Sequence, residues 1–349
     1  MRVPSLAALL LALTLLLAAC GGDDSQSSGT TPAAGDGSTL TIYSGRDEEY
    51  VGPLIESFKK ANPDVDVKVR YGDSAELAAT IREEGDRSPA DLFFSQDAGA
   101  LGALQNEGIL AKLPASTLEQ VDAAYRSTAG DWTGITGRAR VLGYDSRKVQ
   151  EGELPASVFD LTQPRWKGKV GWAPTNASFQ SFITAMRKTA GEEKTRQWLE
   201  DMQKNDVQSY EKNSIIRDAI ADGEIEVGLI NHYYILEGIR EGEVDGKNYP
   251  VKLHFFPGGD VGSLVNVAGI GVLTSAGQGA NAQKFIDFLL EKPQQEYFAK
   301  DVGEYPLAAG VKQDPSLPPL QDIQAPDVDL ADLADLQGTL KLLQETGAI

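Results

Sequence analysis

From Thr39 onward the hydrophobic pattern keeps switching period, from two residues to 3.6 and back, and few architectures accept that order. Thr39-Leu40-Thr41-Ile42-Tyr43 alternates polar and apolar side chains and predicts a strand. Tyr50, Val51, Leu54, Ile55 and Phe58 then recur at helical spacing until Asn62-Pro63, with Ser44 three residues before Asp47 as a helix-capping pair. Asp66 to Tyr71 predicts the next strand, Ala75 to Arg82 a helix, Asp91 to Phe94 a short apolar strand, and Ala98 to Asn106 another helix. A β-α-β-α-β run of this kind requires a sheet covered by helices on both faces. A second series starts near Arg140. It has strands at Val141-Leu142 and from Lys169 to Ala173, and helices at Phe179 to Arg187, Glu192 to Asp201 and Ile215 to Ala221. Glu226 to Ile230 then runs into Asn231-His232-Tyr233-Tyr234, and Ile235, Leu236 and Ile239 mark a helix. Strand-like residues from Val265 to Thr274 and a helix from Ala282 to Leu290 follow. The predicted fold class is α/β, in two lobes.

The residues before this region have a different character. Met1-Arg2-Val3-Pro4 is a basic start, and Leu6 to Ala19 is an apolar run broken only by Thr14. That run is shorter than the roughly 20 apolar residues a permanent span needs, so residues 1–19 read as a signal peptide. It ends in Leu17-Ala18-Ala19-Cys20, which resembles the bacterial lipobox, with Cys20 the lipidated first residue of the mature chain. After Cys20, residues 21–38 are Gly, Ser, Thr, Asp, Ala and Pro with a single Gln and no apolar period, and residues 20–38 read as the lipidated Cys and a tether. Cys20 is the one cysteine, so the folded part is expected to stand without disulfides. The predicted location is the outer face of the cytoplasmic membrane, held there by lipid.

Charge and residue counts exclude several functions. With 32 Lys+Arg against 51 Asp+Glu, the chain carries a net charge of −19, which repels polyphosphate and argues against nucleic acid as a partner. Two histidines and one cysteine cannot build a Cys₄, Cys₂His₂ or His₃ site, so a metal here needs oxygen ligands. The sequence has no Gly-x-Ser-x-Gly elbow and no phosphate loop, and no carboxylate pair stands out, so the chain is not read as an enzyme.

Four segments lie where a strand hands over to a helix or crosses between lobes. They are Tyr43-Ser44-Gly45-Arg46-Asp47, Thr136-Gly137-Arg138-Ala139-Arg140, Ala173 to Gln180, and Asn231-His232-Tyr233-Tyr234. Such ends open onto the crevice where α/β sheets bind ligands, and free N–H groups at helix starts favour anions. Taken singly, each segment has a plain structural reading: surface charge for Arg46 and Arg138, caps for Asn176 and Ser178, packing for Tyr233.

Taken together, in this order and spacing, they resemble the ferric-iron-binding proteins of bacterial ABC importers. Ser88 to Phe94, Trp166-Lys167-Gly168-Lys169 and Glu304-Tyr305-Pro306-Leu307 carry the resemblance further, over about residues 39 to 312. It implies a periplasmic-binding-protein-like type II clamp, each lobe a mixed sheet flanked by helices. One lobe would comprise residues 39–139 plus 264–314, and the other 140–263 plus 315–349. It implies that Tyr233 and Tyr234 bind Fe³⁺ as phenolates. Arg46, Arg138, Asn176, Ser178, Asn213 and Asn231 would hold carbonate or another synergistic anion, or order the tyrosines. Some members add a His and a Glu ligand; those positions are Asp47 and Gln96 here, with Asp97 adjacent. Asp47 and Asp97 are therefore further candidate ligands. A third tyrosine used by another subgroup is matched by Phe179, which has no oxygen. His232 is expected to be a neighbour of the site. The implied partners are ferric ion, an ABC permease and its ATPase, with a monomer sufficient to form the site. Within binding proteins the alternative is an organic or oxyanion ligand: thiamine, polyamine, phosphonate or sulfate.

Overall fold

The computed structural model describes residues 39–242 and 245–349. Cys20, the signal peptide and the tether lie outside them. The first strand, β1 (Thr39–Ser44), is followed by α1 (Glu48–Ala61), β2 (Asp66–Tyr71), α2 (Ser74–Glu84), β3 (Leu92–Ser95) and α3 (Ala98–Asn106). Val51, Leu54, Ile55 and Phe58 bury the apolar face of α1, and Asn62-Pro63 stops it because the residue before proline disfavours helix. The cap of α1 corrects the sequence reading. Asp47 takes the N-cap position, whereas Ser44 ends β1 and folds its Oγ back onto the backbone of Arg46.

A short helix, α4 (Ala115–Leu118), precedes β4 (Thr133–Asp145), the longest strand and buried along its whole length. Next come β5 (Val170–Trp172), α5 (Ala177–Ala190), α6 (Glu192–Lys204), β6 (Gln208–Ser209), α7 (Asn213–Ala221), β7 (Val227–Asn231) and α8 (Tyr233–Glu241). Then follow β8 (Val251–His254), β9 (Val265–Val272), α9 (Gly279–Leu290), α10 (Lys292–Tyr297), β10 (Tyr305–Pro306) and α11 (Leu336–Glu345).

Strand β4 organises the sheet. Its first half, Thr133 to Ala139, pairs antiparallel with β9, which continues to β3, β1 and β2. Its second half, Arg140 to Asp145, pairs with β7 and β8, and β7 continues in parallel to β5 and β6. Each group mixes parallel and antiparallel neighbours and has helices packed against it, giving the mixed α/β architecture expected. The change of partner falls between Ala139 and Arg140.

The C-terminal segment touches both groups. The turn Leu330–Ala334 lies on α3, where a Cβ on Gly99 or Gly102 would stand 2.6 Å from the carbonyl oxygen of Leu333 or 2.7 Å from that of Ala331. Only glycine admits so close an approach. Helix α11 packs on α5 through a Thr184–Thr339 hydroxyl contact of 2.7 Å and an Arg187–Asp335 ion pair of 3.0 Å.

Candidate functional site

Residues from β4, β7, α5, α7 and α8, and from the segment after β1, converge near the Ala139/Arg140 junction. Tyr233 and Tyr234 form the first turn of α8, directly after β7 and His232. Adjacent residues in a helix interior diverge by about 100°. At this helix start, however, the two rings lie against each other, with centroids 4.3 Å apart and planes tilted by 31°. Tyr233 is buried and Tyr234 is half-buried. Burial raises both phenols above their ordinary value near 10, with Arg138 opposing the shift at Tyr233 and the neighbouring Tyr233 adding to it at Tyr234. Both hydroxyls are therefore protonated at neutral pH unless something displaces the proton.

His232 is fully committed. Its Nδ1 accepts from the Ala139 N–H at 3.1 Å, so the neutral ring carries its proton on Nε2 and donates to the Gly303 carbonyl at 3.0 Å. Burial lowers the imidazole to about 4. With both nitrogens engaged it has no lone pair to offer a ligand. Gly303 presents that carbonyl from a left-handed conformation, φ +87°, suited to glycine.

Three arginines are buried here, and their surroundings differ. Arg46 is fixed by Glu304, which accepts from both Nη atoms at 3.0 Å, and by Gln96 at 2.6 Å. Glu304 also accepts from the Thr136 hydroxyl at 2.6 Å. Arg138, 3% exposed, has no ion pair or hydrogen bond to its guanidinium among the described residues, and its Nε is buried without a partner. Arg140 also lacks a carboxylate. Its Nη1 reaches Ser178 Oγ at 3.2 Å and Asn213 Oδ1 at 3.4 Å, and its Nη2 donates to the Leu229 carbonyl at 2.9 Å. The rings of Phe179 and Phe182 lie 5.5 and 5.4 Å from its guanidinium carbon. Burial lowers Arg140 to about 9, with Tyr234 and Tyr233 opposing the shift, so it is still charged at neutral pH. Spacing along β4 explains the pair: residues two apart on a strand share a face, so Arg138 and Arg140 project together.

Asn176, the N-cap of α5, accepts at Oδ1 from Ser178 N–H, Ser178 Oγ–H and Asn213 Nδ2 at 3.0, 2.6 and 3.1 Å. Asn176, Ser178 and Asn213 thus form one network ending on Arg140. Asn231 ends β7, opposite Arg140 in the ladder. Asp97 caps α3, its Oδ1 accepting from the Gly99 and Ala100 N–H groups. Asp47 is exposed. Arg46, Asp47, Asp73, Gln96 and Asp97 line a cavity of about 340 Å³ together with Ala177 of α5. A cavity of about 670 Å³ elsewhere, lined by Ile235, Leu236 and Ile239 with Val251 and Phe255, carries none of these groups. Among the described residues no cluster of three or more His, Cys, Asp and Glu side chains is arranged for a metal.

Three residues absent from the sequence-based site belong beside it. They are Arg140, Glu304 and Tyr50, whose Oη lies 3.5 Å from Glu237 Oε1 on α8.

The family model for bacterial extracellular solute-binding proteins matches residues 87–332. The chain belongs to that family. Among curated relatives, the Fe(3+)-binding periplasmic protein of Serratia marcescens is 34% identical over 319 residues, covering 91% of this chain and 93% of that protein. Iron-bound HitA of Pseudomonas aeruginosa superposes with a TM-score of 0.82 at 34% identity, covering 89% of this solute-binding protein and 99% of HitA. The Trichodesmium protein IdiA (FutA), solved in complex with iron and citrate ligands, gives 0.78 at 30% identity, covering 88% and 99%.

Proposed function

We propose that this solute-binding protein captures ferric ion together with a small anion and delivers it to an ABC permease and its ATPase. Tyr233 and Tyr234 bind the metal as phenolates, and Arg138 and Arg140 hold carbonate or another synergistic anion. The observation that carries this reading is the stacked tyrosine pair beside two buried guanidiniums that no carboxylate hydrogen-bonds. A buried charge without a bonded partner is costly, so the pocket suits an anion the protein does not itself supply. A hard trivalent cation displaces phenol protons and inverts the local pKa logic, because the ion becomes the largest charge in the site. Two phenolates cancel two of its three charges, and the anion and the guanidiniums settle the rest. The iron-binding and iron-uptake relatives support iron over thiamine, polyamine, phosphonate or sulfate, and support transport rather than catalysis.

The lobes are proposed to be residues 39–139 plus 264–314 and residues 140–263 plus 315–349, closing about β4. The chain works as a monomer, since one copy supplies every group named. It sits on the outer face of the cytoplasmic membrane, held by lipid on Cys20. No helix among the described residues is long and apolar enough to cross a membrane.

Iron-loaded protein is expected to show a visible phenolate-to-Fe³⁺ charge-transfer band. Tyr233→Phe and Tyr234→Phe keep the rings and lose the oxygens. Each is expected to fold normally and weaken or bleach the band, and the double variant to abolish it. Unchanged iron binding in both single variants refutes the assignment. Elemental analysis of protein purified without chelators checks the metal itself.

A further inference from the structure

Two phenolates and a bidentate anion fill about four positions around a hard cation that prefers about six oxygen ligands. The pocket should therefore hold another oxygen donor facing the first turn of α8. Asp47 is exposed, and the Oδ1 of Asp97 is already spent on two backbone N–H groups. Phe179 packs its ring against Arg140 and has no donor.

Tyr50 differs from all of these. It lies in the first turn of α1, half-buried, with the Arg46 guanidinium 5.6 Å from its ring centre and its backbone carbonyl held by Tyr297 Oη at 3.0 Å. Its own hydroxyl faces α8, where Glu237 Oε1 at 3.5 Å is too far for a good O–H···O bond. Glu237 lies three residues beyond Tyr234 on α8, so the Tyr50 hydroxyl faces the helix that carries the tyrosine pair.

Resting on the iron reading above, we propose that Tyr50 is a third phenolate ligand, contributed by α1 across the cleft from Tyr233 and Tyr234. Metal binding then replaces the Tyr50 Oη–H bond with an oxygen–iron bond, and the proton leaves to water. A ligand reaching from α1 to an ion held by α8 ties the two elements together only when iron is present, which favours the closed form through differential affinity.

The test is Tyr50→Phe in the full chain, loaded with ferric iron in dilute carbonate. The ring, its packing and its contact with Arg46 remain. The expected result is a normal circular dichroism spectrum, a visible band shifted and reduced in intensity, and one proton fewer released per iron bound. Iron is expected to pass to citrate at roughly tenfold lower competitor concentration or less, since even outer-shell changes cost that much. Glu237→Gln, which removes the neighbour but keeps the phenol, is expected to retain the wild-type band and proton count. A Tyr50→Phe variant identical to wild type in band and protons overturns Tyr50 as a ligand while leaving the paired tyrosines standing. A wild-type protein with no visible band overturns the iron reading itself, and this proposal with it.

Discussion

Glu304→Gln removes one charge and almost no volume from the junction between the strand groups. The carboxylate is 1% exposed and accepts both Arg46 Nη atoms at 3.0 Å and the Thr136 hydroxyl at 2.6 Å. A glutamine can still accept at one oxygen, but its amide nitrogen then faces a cationic donor. Arg46 is left buried beside the already unpaired Arg138. Breaking a buried pair from one side costs about 3–5 kcal/mol, and the surviving acceptor places this case near 3 kcal/mol. At about 2 °C per kcal/mol for a chain of this size, the iron-free variant should melt roughly 6 °C lower. The pH dependence is a second signature. Burial pushes the Glu304 carboxyl up, but Arg46, Arg138 and Thr136 outweigh it and hold the group below its ordinary value of 4.5. A depressed carboxyl contributes stability above its unfolded value and loses it as pH falls through the folded one. The gap between wild type and variant should therefore be constant above about pH 5 and shrink as pH falls below about 4.5. Calorimetry of metal-free protein across that range measures both. A gap under about 1 kcal/mol, or one undiminished at about pH 3, refutes a buried, charge-dependent pair.

Arg138→Lys keeps the charge and loses the flat fork that offers two parallel donors to one oxyanion. Iron affinity in carbonate should fall more than an unchanged charge implies, and wild-type affinity in both carbonate and phosphate buffers would remove Arg138 from the anion site. Cys20→Ser should move the protein from the membrane to the soluble fraction without changing its melting temperature, as fractionation and calorimetry would show.

Period-based reading located elements well because the strands and helices here bury continuous faces. Helix α3 begins and ends at the predicted residues, Ala98 and Asn106. The helix after β5 starts two residues before the predicted Phe179, because Asn176 caps it. Short or late elements were less legible. Strand β8 is a four-residue edge, and α11 follows a turn packed on distant α3 and α5. The tyrosine pair was legible as a motif, and its stacking depends on the helix beginning where it does. Arg140 was hidden although its two-residue spacing from Arg138 on a strand was available as a signal. Glu304 had no local signal, since its partner lies 258 residues away in sequence. Tyr50 fell within the helical repeat of α1 and read as packing. Only the position of α8 shows that its hydroxyl leaves the core.

Strand β4 has one further consequence. Arg138 sits in the stretch hydrogen-bonded to β9 and Arg140 in the stretch hydrogen-bonded to β7, with a single residue between them. Bending the two strand groups against each other must twist β4 at Ala139 and so alter the angle between the two guanidinium groups. An anion spanning both side chains gauges that angle directly. On the proposed reading, the cargo's counter-ion would sit at the fulcrum itself, where a rotation of the strand groups displaces its ligands least.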